Sequence, residues 1–217
     1  MGQVTTPAPL FEEIEHAVAT HQPELDVSTT DALVLLDGRF VVSGPSGPFD
    51  FYEVRVGVGP EFPANEPIVF ETGGRIPKDI DRHIFPKHGD CCLGVWEEWL
   101  LTSPNHRFET FLTGPMHDYF LSQSHFEATG EWPFGERSHG KQGVLESYAD
   151  LLQLPCKEGL VAAYLKVLSR THLKGHISCP CGSKQKLRNC HRAELEVLRQ
   201  RIPAFMAARM YQRIRGA

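Results

Sequence analysis

The sequence lacks a long apolar run. Its 217 residues are 41% hydrophobic and 23% charged, yet no stretch approaches the roughly 18 consecutive apolar residues that span a bilayer. The N-terminal residues also lack the basic and apolar regions of a secretory signal peptide. Internal repeats and low-complexity segments are missing, and the composition excludes collagen, coiled coils and wholesale disorder. We therefore expect a cytoplasmic globular protein without a membrane partner.

Cysteine is scarce, and its six copies are unevenly placed, at positions 91, 92, 156, 179, 181 and 190. Six cysteines would permit three disulfide bonds in a secreted protein, but no export signal supports such a framework. Metal binding or catalysis is the better explanation for the clustered cysteines. Cys156 follows a proline at a predicted helix start and is interpreted as a packing residue.

Acidic residues become scarce toward the C-terminus. Residues 166–217 contain 12 Lys and Arg but only 2 Asp and Glu, whereas residues 1–165 contain 10 and 25. The net charge of −5 therefore combines an acidic body with a basic tail. A shift of this kind usually separates structural units.

Hydrophobic periodicity predicts an α+β fold that begins with one helix and a four-stranded antiparallel meander. Apolar residues in 10–20 recur at helical spacing. Asp37-Gly38 between two β-branched runs is typical of a hairpin turn. The predicted strands are 32–37, 39–43, 51–58 and 68–72.

The segment 73–107 is irregular and carries many glycines and prolines. Long loops within a compact domain are usually functional. The rest of the chain is predicted to be mainly helical, and the last helix is expected to break near Pro203. These helices are 108–126, 143–154, 157–172 and 192–212.

Four potential metal ligands lie close together near the C-terminus. They are Cys179, Cys181, Cys190 and His191. Three thiolates and one imidazole form a familiar tetrahedral zinc set. Four protein ligands would close the site, which favours structural zinc, Zn²⁺, whose binding drives local folding. Thiols beside a surface histidine, or a reversible disulfide, are the alternatives.

This segment resembles the SEC-C motif, a short zinc-binding module found at the C-terminus of the bacterial protein-export ATPase and appended to many other proteins. The pattern Cys-x-Cys-Gly-Ser…Cys-His is matched at all four ligand positions. The surrounding basic residues would dock an acidic partner or form a solvated face. Nucleic acid is a less favoured partner for this basic tail, because no aromatic residues interleave with the lysines.

A second constellation surrounds Cys92 in the irregular loop. The order of helix, meander, Pro-rich loop and helices resembles the ubiquitin-conjugating enzyme fold. The resemblance rests on Tyr52 and its alternating strand, on the spacing Phe62-Pro63…Glu66-Pro67, and on Gly89-Asp90-Cys91-Cys92-Leu93. It covers roughly residues 10–125. Bacterial versions, encoded beside ubiquitin-like modifiers or in antiphage operons, are the nearest subset.

The resemblance implies acyl transfer through a cysteine thioester. Cys92 falls on that family's catalytic cysteine, which would receive a ubiquitin-like modifier from an activating enzyme and pass it to an amine of a target protein. The family's His-Pro-Asn triplet is only partly matched, since His83 takes the place of the histidine and no asparagine lies near it. Backbone N–H groups, His83 or His88 would then stabilise the oxyanion.

Acidic residues near Cys92 complete the implied site. Asp90, Glu97 or Glu98 would orient or deprotonate the incoming lysine. The chain would then divide into a ubiquitin-conjugating-like domain, a helical extension, and a zinc motif with a basic helix, at 1–130, 131–172 and 173–217.

Two other functions remain open at this point. One is a catalytically silent binding module of the same fold, and the other is an adaptor that contacts protein or nucleic acid through the zinc tail. Cys92 has a structural alternative as well, because cysteine often packs as a small hydrophobe, and Cys91 is an alternative nucleophile. A Cys92 sulfur buried beneath Trp96 would favour the binding module.

Overall fold

The computed structural model describes residues 8–135 and 137–216. Within these ranges, a four-stranded antiparallel sheet and several helices form a mixed α+β structure. None of the helices in these ranges has both the length and the apolar character needed to cross a membrane. Residues 1–7, which carry part of the signal-peptide argument, lie outside the described residues.

The described chain falls into two compact units. Unit 1 contains the described residues up to Trp96 and those from Ser103 to 135, and unit 2 contains Glu97–Thr102 and the residues from Arg137 onward. Helix α2 (Trp96–Thr102) therefore belongs almost entirely to unit 2. The divisions at 130 and 172 stay predictions.

The sheet of unit 1 is a meander in the order β1-β2-β3-β4. Its strands are β1 (Leu25–Thr29), β2 (Val34–Gly44), β3 (Gly47–Val58) and β4 (Ile68–Glu71). The sequence predicts four strands and the sheet has four, but the predicted hairpin at Asp37-Gly38 is wrong. Both residues lie inside β2, where they pair with Arg55 and Val54.

Gly38 does not form a turn; it allows the backbone at Glu24 to approach closely. Its φ is +132°, and a Cβ at this position would lie 2.5 Å from the carbonyl O of Glu24. The turn between β2 and β3 joins Gly44 to Gly47 instead. Strand β1 escapes prediction because Leu25 is its single buried residue, which leaves no alternation to detect.

The core of unit 1 lies between the sheet and two helices, α1 (Ala8–His21) and α4 (His117–Thr129). Alternate β3 residues from Tyr52 to Val58 are at most 1% exposed. Phe120 of α4 packs against Phe40 and Tyr52, with ring centroids 5.1 and 4.8 Å apart. Burying each large side chain contributes about 1.5–3 kcal/mol, and the predicted helix at 10–20 is confirmed as α1.

The predicted helix at 108–126 is interrupted. Helix α3 (Phe108–Phe111) passes through a wider turn at Leu112–Met116 before α4 begins. The interruption contains Gly114, whose φ and ψ are not helical, and Pro115. Proline cannot donate the usual i→i−4 hydrogen bond, which accounts for the widened turn.

Unit 2 is built mainly from helices that the sequence predicts with shifted ends. They are α5 (Gly140–Leu152), α6 (Glu158–Leu168), α7 (Arg192–Arg201) and α8 (Ala204–Gly216). The break between α7 and α8 falls at Ile202-Pro203, as predicted.

The irregular loop is fastened to the core of unit 1 through Arg75. Its guanidinium donates to both Asp50 carboxylate oxygens at 2.7 Å and to Glu127 of α4 at 2.7 and 2.9 Å. The same group lies 4.3 Å from the centroid of the Tyr52 ring. The hydrogen bonds from Arg75 lower the pKa of Asp50 to about 2, so the carboxylate stays ionised and the loop stays attached.

Candidate functional site

The vicinal cysteines lie in a short extended segment between β4 and residues 83–85. Cys91 N donates to Val69 O at 2.7 Å, and Cys92 N donates to His83 O at 2.8 Å. Isolated bridges pair Asp90 with Phe70 and Cys91 with Ile84. Residues 90–92, which we call the cysteine turn, therefore extend the sheet of unit 1 beyond its edge strand.

The pairing register separates the two cysteines. Successive residues of an extended segment point to opposite faces, and opposite residues of an antiparallel pair share a face. Cys91 and its partner Ile84 are 6% and 1% exposed. At the neighbouring position the Cys92 N–H donates to the His83 carbonyl, and both residues are partly exposed. Burial raises the pKa of the Cys91 thiol to about 12, which leaves this thiol protonated at neutral pH.

Trp96 does not expose its ring beside the cysteines. It is 3% exposed and lies in an aromatic cluster with Phe62 and Phe111, at centroid distances of 6.2 and 5.9 Å. Its indole N–H donates to Pro63 O at 3.0 Å. This ring is therefore a core element of unit 1, whereas Cys92 retains partial exposure.

His83 occupies an unusual backbone position opposite Cys92. Its φ and ψ are 52° and 37°, in the left-handed region that non-glycine residues rarely adopt. The Tyr119 hydroxyl of α4 donates to His83 O at 3.2 Å. The imidazole meets the ring of Trp132 at a centroid distance of 4.9 Å and an interplanar angle of 75°.

His88 and Asp90 have different surroundings from His83. His88 is exposed in the turn after Phe85, and its backbone N–H donates to Phe85 O at 3.2 Å. Asp90 holds the turn through its backbone, since its carbonyl accepts from Phe85 N at 2.9 Å. Its Oδ1 atom is buried and has no hydrogen-bond partner among the described residues. Among these site residues, the ladder places His83 directly opposite Cys92.

The two glutamates predicted to assist an incoming lysine lie in unit 2. Glu97 is 1% exposed and accepts hydrogen bonds from Arg209, at 2.8 Å, and from Arg213. Glu98 accepts from Arg137 at 2.8 Å and from Ser147 at 2.8 Å. Both carboxylates are thus engaged by unit 2 side chains and hold α2 in that unit.

The four predicted metal ligands converge in unit 2. One ligand atom from each of Cys179, Cys181, Cys190 and His191 lies within 4.8 Å of all the others. The Cys181 and Cys190 sulfurs are 3.6 Å apart, and His191 Nδ1 is 3.4 and 3.1 Å from the sulfurs of Cys179 and Cys190. A tetrahedral zinc with bonds of about 2.3 Å would place two sulfurs about 3.8 Å apart. The cluster can therefore hold a metal ion.

Local hydrogen bonds shape this cluster. Cys179 N donates to Gln185 O at 2.8 Å, which closes a small loop around the first two ligands. Gly182 turns the chain inside that loop with φ of +85°. A short 3-10 helix, Leu187–Asn189, buries Leu187 completely and delivers the last two ligands just before α7 begins.

Ser183 forms hydrogen bonds with two of the ligand thiols. Its hydroxyl lies 3.2 Å from the Cys181 sulfur and 3.4 Å from the Cys190 sulfur. Hydrogen bonds from the side chain and backbone of Ser183 lower the pKa of Cys181 to about 6. A metal ion binds thiolates rather than thiols, so Ser183 favours the ligand form of Cys181.

The residues behind His83 are missed by sequence reasoning. Tyr119, Gln123 and Trp132 lie 36–49 positions from it along the chain, and no motif connects them. A left-handed backbone at a histidine gives no sequence signal either. Only the fold brings these side chains to the cysteine turn.

We compared the chain with protein-family models, curated proteins and solved structures, and found no match in any of the three. Its function is therefore inferred from the cysteine turn and the metal-binding cluster.

Proposed function

We propose that unit 1 is a ubiquitin-conjugating-like domain that carries a ubiquitin-like modifier as a thioester on Cys92. The observation that carries the proposal is the register of the cysteine turn, which leaves Cys92 partly exposed and opposite His83. A nucleophile that meets one protein donor and one protein acceptor must be reachable from solvent. The order of α1, the meander and the cysteine loop supports the same conclusion.

The proposed reaction consists of two acyl exchanges. In the first, the Cys92 thiolate attacks the modifier's thioester on an activating enzyme; the new C–S bond forms, the old one breaks, and the enzyme's thiolate leaves. In the second, an amine of the target attacks the Cys92 thioester; the C–N bond forms, the C–S bond breaks, and Cys92 leaves as a thiolate. His83 is the candidate base that receives the amine proton.

Backbone amides near Cys92 are the proposed oxyanion donors. The N–H of Cys92 itself is occupied by His83 O. The N–H groups of Leu93 and Gly94 come next in the chain, and neither donates a hydrogen bond within the described residues. Such amides can take over the stabilisation that the family's asparagine supplies.

For the cluster in unit 2 we propose a structural zinc. Its donor set of three cysteine sulfurs and one imidazole nitrogen suits Zn²⁺ best, because soft thiolates select against magnesium and calcium. With four protein ligands the site has no open position for a substrate. The metal would stabilise the loop around residues 179–191, which has few apolar residues of its own.

The test is a conjugation assay on the zinc-loaded full chain. The chain is incubated with ATP, magnesium, a bacterial ubiquitin-like modifier and the activating enzyme of that modifier, and intact mass is measured without reductant. We expect a thiol-sensitive adduct that Cys92→Ala abolishes and Cys91→Ala retains. An adduct that survives in the Cys92→Ala variant would overturn the assignment. An unmodified wild-type chain that still binds the modifier would support the silent binding module instead.

A further inference from the structure

A stack of side chains lies behind His83. The Arg82 guanidinium lies 4.7 Å from the centroid of the Phe126 ring. Phe126 stacks on Trp132 at a centroid distance of 4.4 Å and an angle of 27°, and Trp132 in turn meets His83 at 4.9 Å. The side chains of the consecutive residues Arg82 and His83 therefore pack against opposite members of the Phe126–Trp132 pair.

Hydrogen bonds from α4 fix the backbone of the same two residues. Gln123 is fully buried. Its Nε2 donates to Arg82 O at 2.8 Å, and its Oε1 accepts from Arg82 Nη2 at 2.8 Å. Tyr119 adds the hydrogen bond to His83 O at 3.2 Å. A left-handed backbone conformation at a non-glycine residue costs about 1–3 kcal/mol and persists only where surrounding contacts hold it. The hydrogen bonds from Gln123 and Tyr119 provide these contacts for His83.

The His83 carbonyl oxygen, which accepts the hydrogen bond from Tyr119, also accepts one from the N–H of Cys92. The hydrogen bonds and the ring contact that hold His83 therefore also fix the position of its imidazole relative to the cysteine turn. If His83 rotated away from Trp132, its ring would lose the contact that orients it, although the ladder would remain paired.

We propose that the His83 imidazole acts on the Cys92 thiol, and that Trp132 and Gln123 are positioning residues that hold His83 in place and so maintain the reactivity of that thiol. Trp132 fixes the ring, and Gln123 fixes the backbone that carries it. An imidazole next to a cysteine makes the thiolate more available. This inference rests on the proposed role of Cys92 as nucleophile, but its test needs neither modifier nor activating enzyme.

The test is the rate at which iodoacetamide alkylates Cys92 in the zinc-loaded full chain at pH 7. Peptide fragmentation separates Cys92 from Cys91. We expect Trp132→Leu and His83→Gln each to slow Cys92 alkylation by ~10-fold, and Trp132→Phe to restore most of the rate. Gln123→Met, which has no amide, is expected to act like Trp132→Leu and replaces it if that variant does not fold.

Two internal controls separate positioning from loss of structure. Phe134→Leu changes an aromatic of the same segment that is 69% exposed, and it should leave the rate unchanged. Cys91 is 6% exposed and should stay slow in every variant. An unchanged Cys92 rate in both Trp132→Leu and Gln123→Met, or a rise in Cys91 alkylation in these variants, would overturn the inference.

The outcomes distinguish this inference from the proposed function. If Trp132→Leu slows alkylation but no thioester forms in the conjugation assay, the positioning role holds and the conjugating function fails. If the thioester forms while both variants alkylate at the wild-type rate, the conjugating function holds and the positioning role fails.

Discussion

Cys92 lies directly opposite His83, with a hydrogen bond of 2.8 Å from its amide nitrogen to the histidine carbonyl oxygen. The neighbouring pair, Cys91 and Ile84, points to the other face and is buried. A slip of one residue in this register would exchange the two cysteines. The strand pairing, rather than the Cys-Cys sequence, decides which of the two cysteines is buried and which is partly exposed.

Replacing Cys91 should affect stability rather than acyl transfer. Its sulfur is packed in the core of unit 1, so Cys91→Ala is expected to lower the free energy of unfolding by about 1 kcal/mol. Urea unfolding measures this change. A folded Cys91→Ala chain that forms no modifier adduct would contradict the assignment of Cys92.

Gly38→Ala should strongly destabilise the sheet. The new Cβ would lie 2.5 Å from Glu24 O, and φ of +132° disfavours any L side chain. We expect a loss of about 2 kcal/mol or more in the free energy of unfolding. Gly159→Ala is the matched control, because a Cβ there meets nothing within 4 Å and alanine stabilises a helix by about 0.5–1 kcal/mol. Equal effects of the two substitutions in thermal unfolding would refute this explanation of Gly38.

Arg213→Met should destabilise unit 2. Glu97 is 1% exposed and pairs with both Arg209 and Arg213. Because Arg213 is 36% exposed and Arg209 still pairs with Glu97 in this variant, we expect a loss of about 1–2 kcal/mol, less than when a buried charge loses its only partner. The control is Lys141→Met, which removes an exposed pair with Glu158 at 3.0 Å that is worth about 0–1 kcal/mol. Denaturant titration of the two variants should therefore separate them clearly, and similar losses would argue against a buried pair.

The same pair predicts a pH dependence. Burial alone would raise the pKa of Glu97, but the charge of Arg213 and the hydrogen bond from Arg209 outweigh it, so the pKa is lowered. The unfolded chain, with a glutamate pKa of about 4.3, then binds the proton more readily than the folded chain. The stabilisation is complete above that pH and is lost as the pH falls through the folded pKa. Glu97→Gln should flatten the fall in melting temperature below about pH 4; a fall as steep as in the unmodified chain would exclude Glu97 as its source.

The metal cluster predicts one bound zinc per chain. Cys190→Ser removes one ligand and should abolish stoichiometric zinc in elemental analysis of the purified chain, with a lower melting temperature for unit 2. Cys156→Ser is the control, because this cysteine lies outside the cluster and is exposed, which makes its predicted packing role wrong. Retention of zinc by Cys190→Ser, or its loss in Cys156→Ser, would show that the metal is held elsewhere.

Sequence reasoning succeeds where the signal is local. The four ligands of the metal cluster lie within thirteen residues and meet in space. The alternation in β3 and the break at Pro203 are equally local, and both elements appear as predicted. The number of strands agrees only because the segments predicted at 32–37 and 39–43 are one strand, β2, while β1 is missed.

Prediction fails where burial or register is decided by distant parts of the chain. Gly38 looks like a turn residue, but its role comes from the backbone of Glu24. Strand β1 buries one residue and so has no visible period. The setting of His83 depends on Gln123 and Trp132, which no local pattern connects to it.

The most direct test of the central claim is the linkage formed at Cys92. Cys92→Ser keeps a nucleophilic atom at the same position but replaces the sulfur by oxygen. In the conjugation assay, the unmodified chain should form an adduct that excess thiol removes, and Cys92→Ser should form one that resists thiol. Peptide fragmentation should place both adducts at position 92. A thiol-labile adduct that persists in Cys92→Ser would contradict the account, because the acyl group would then be carried by another residue.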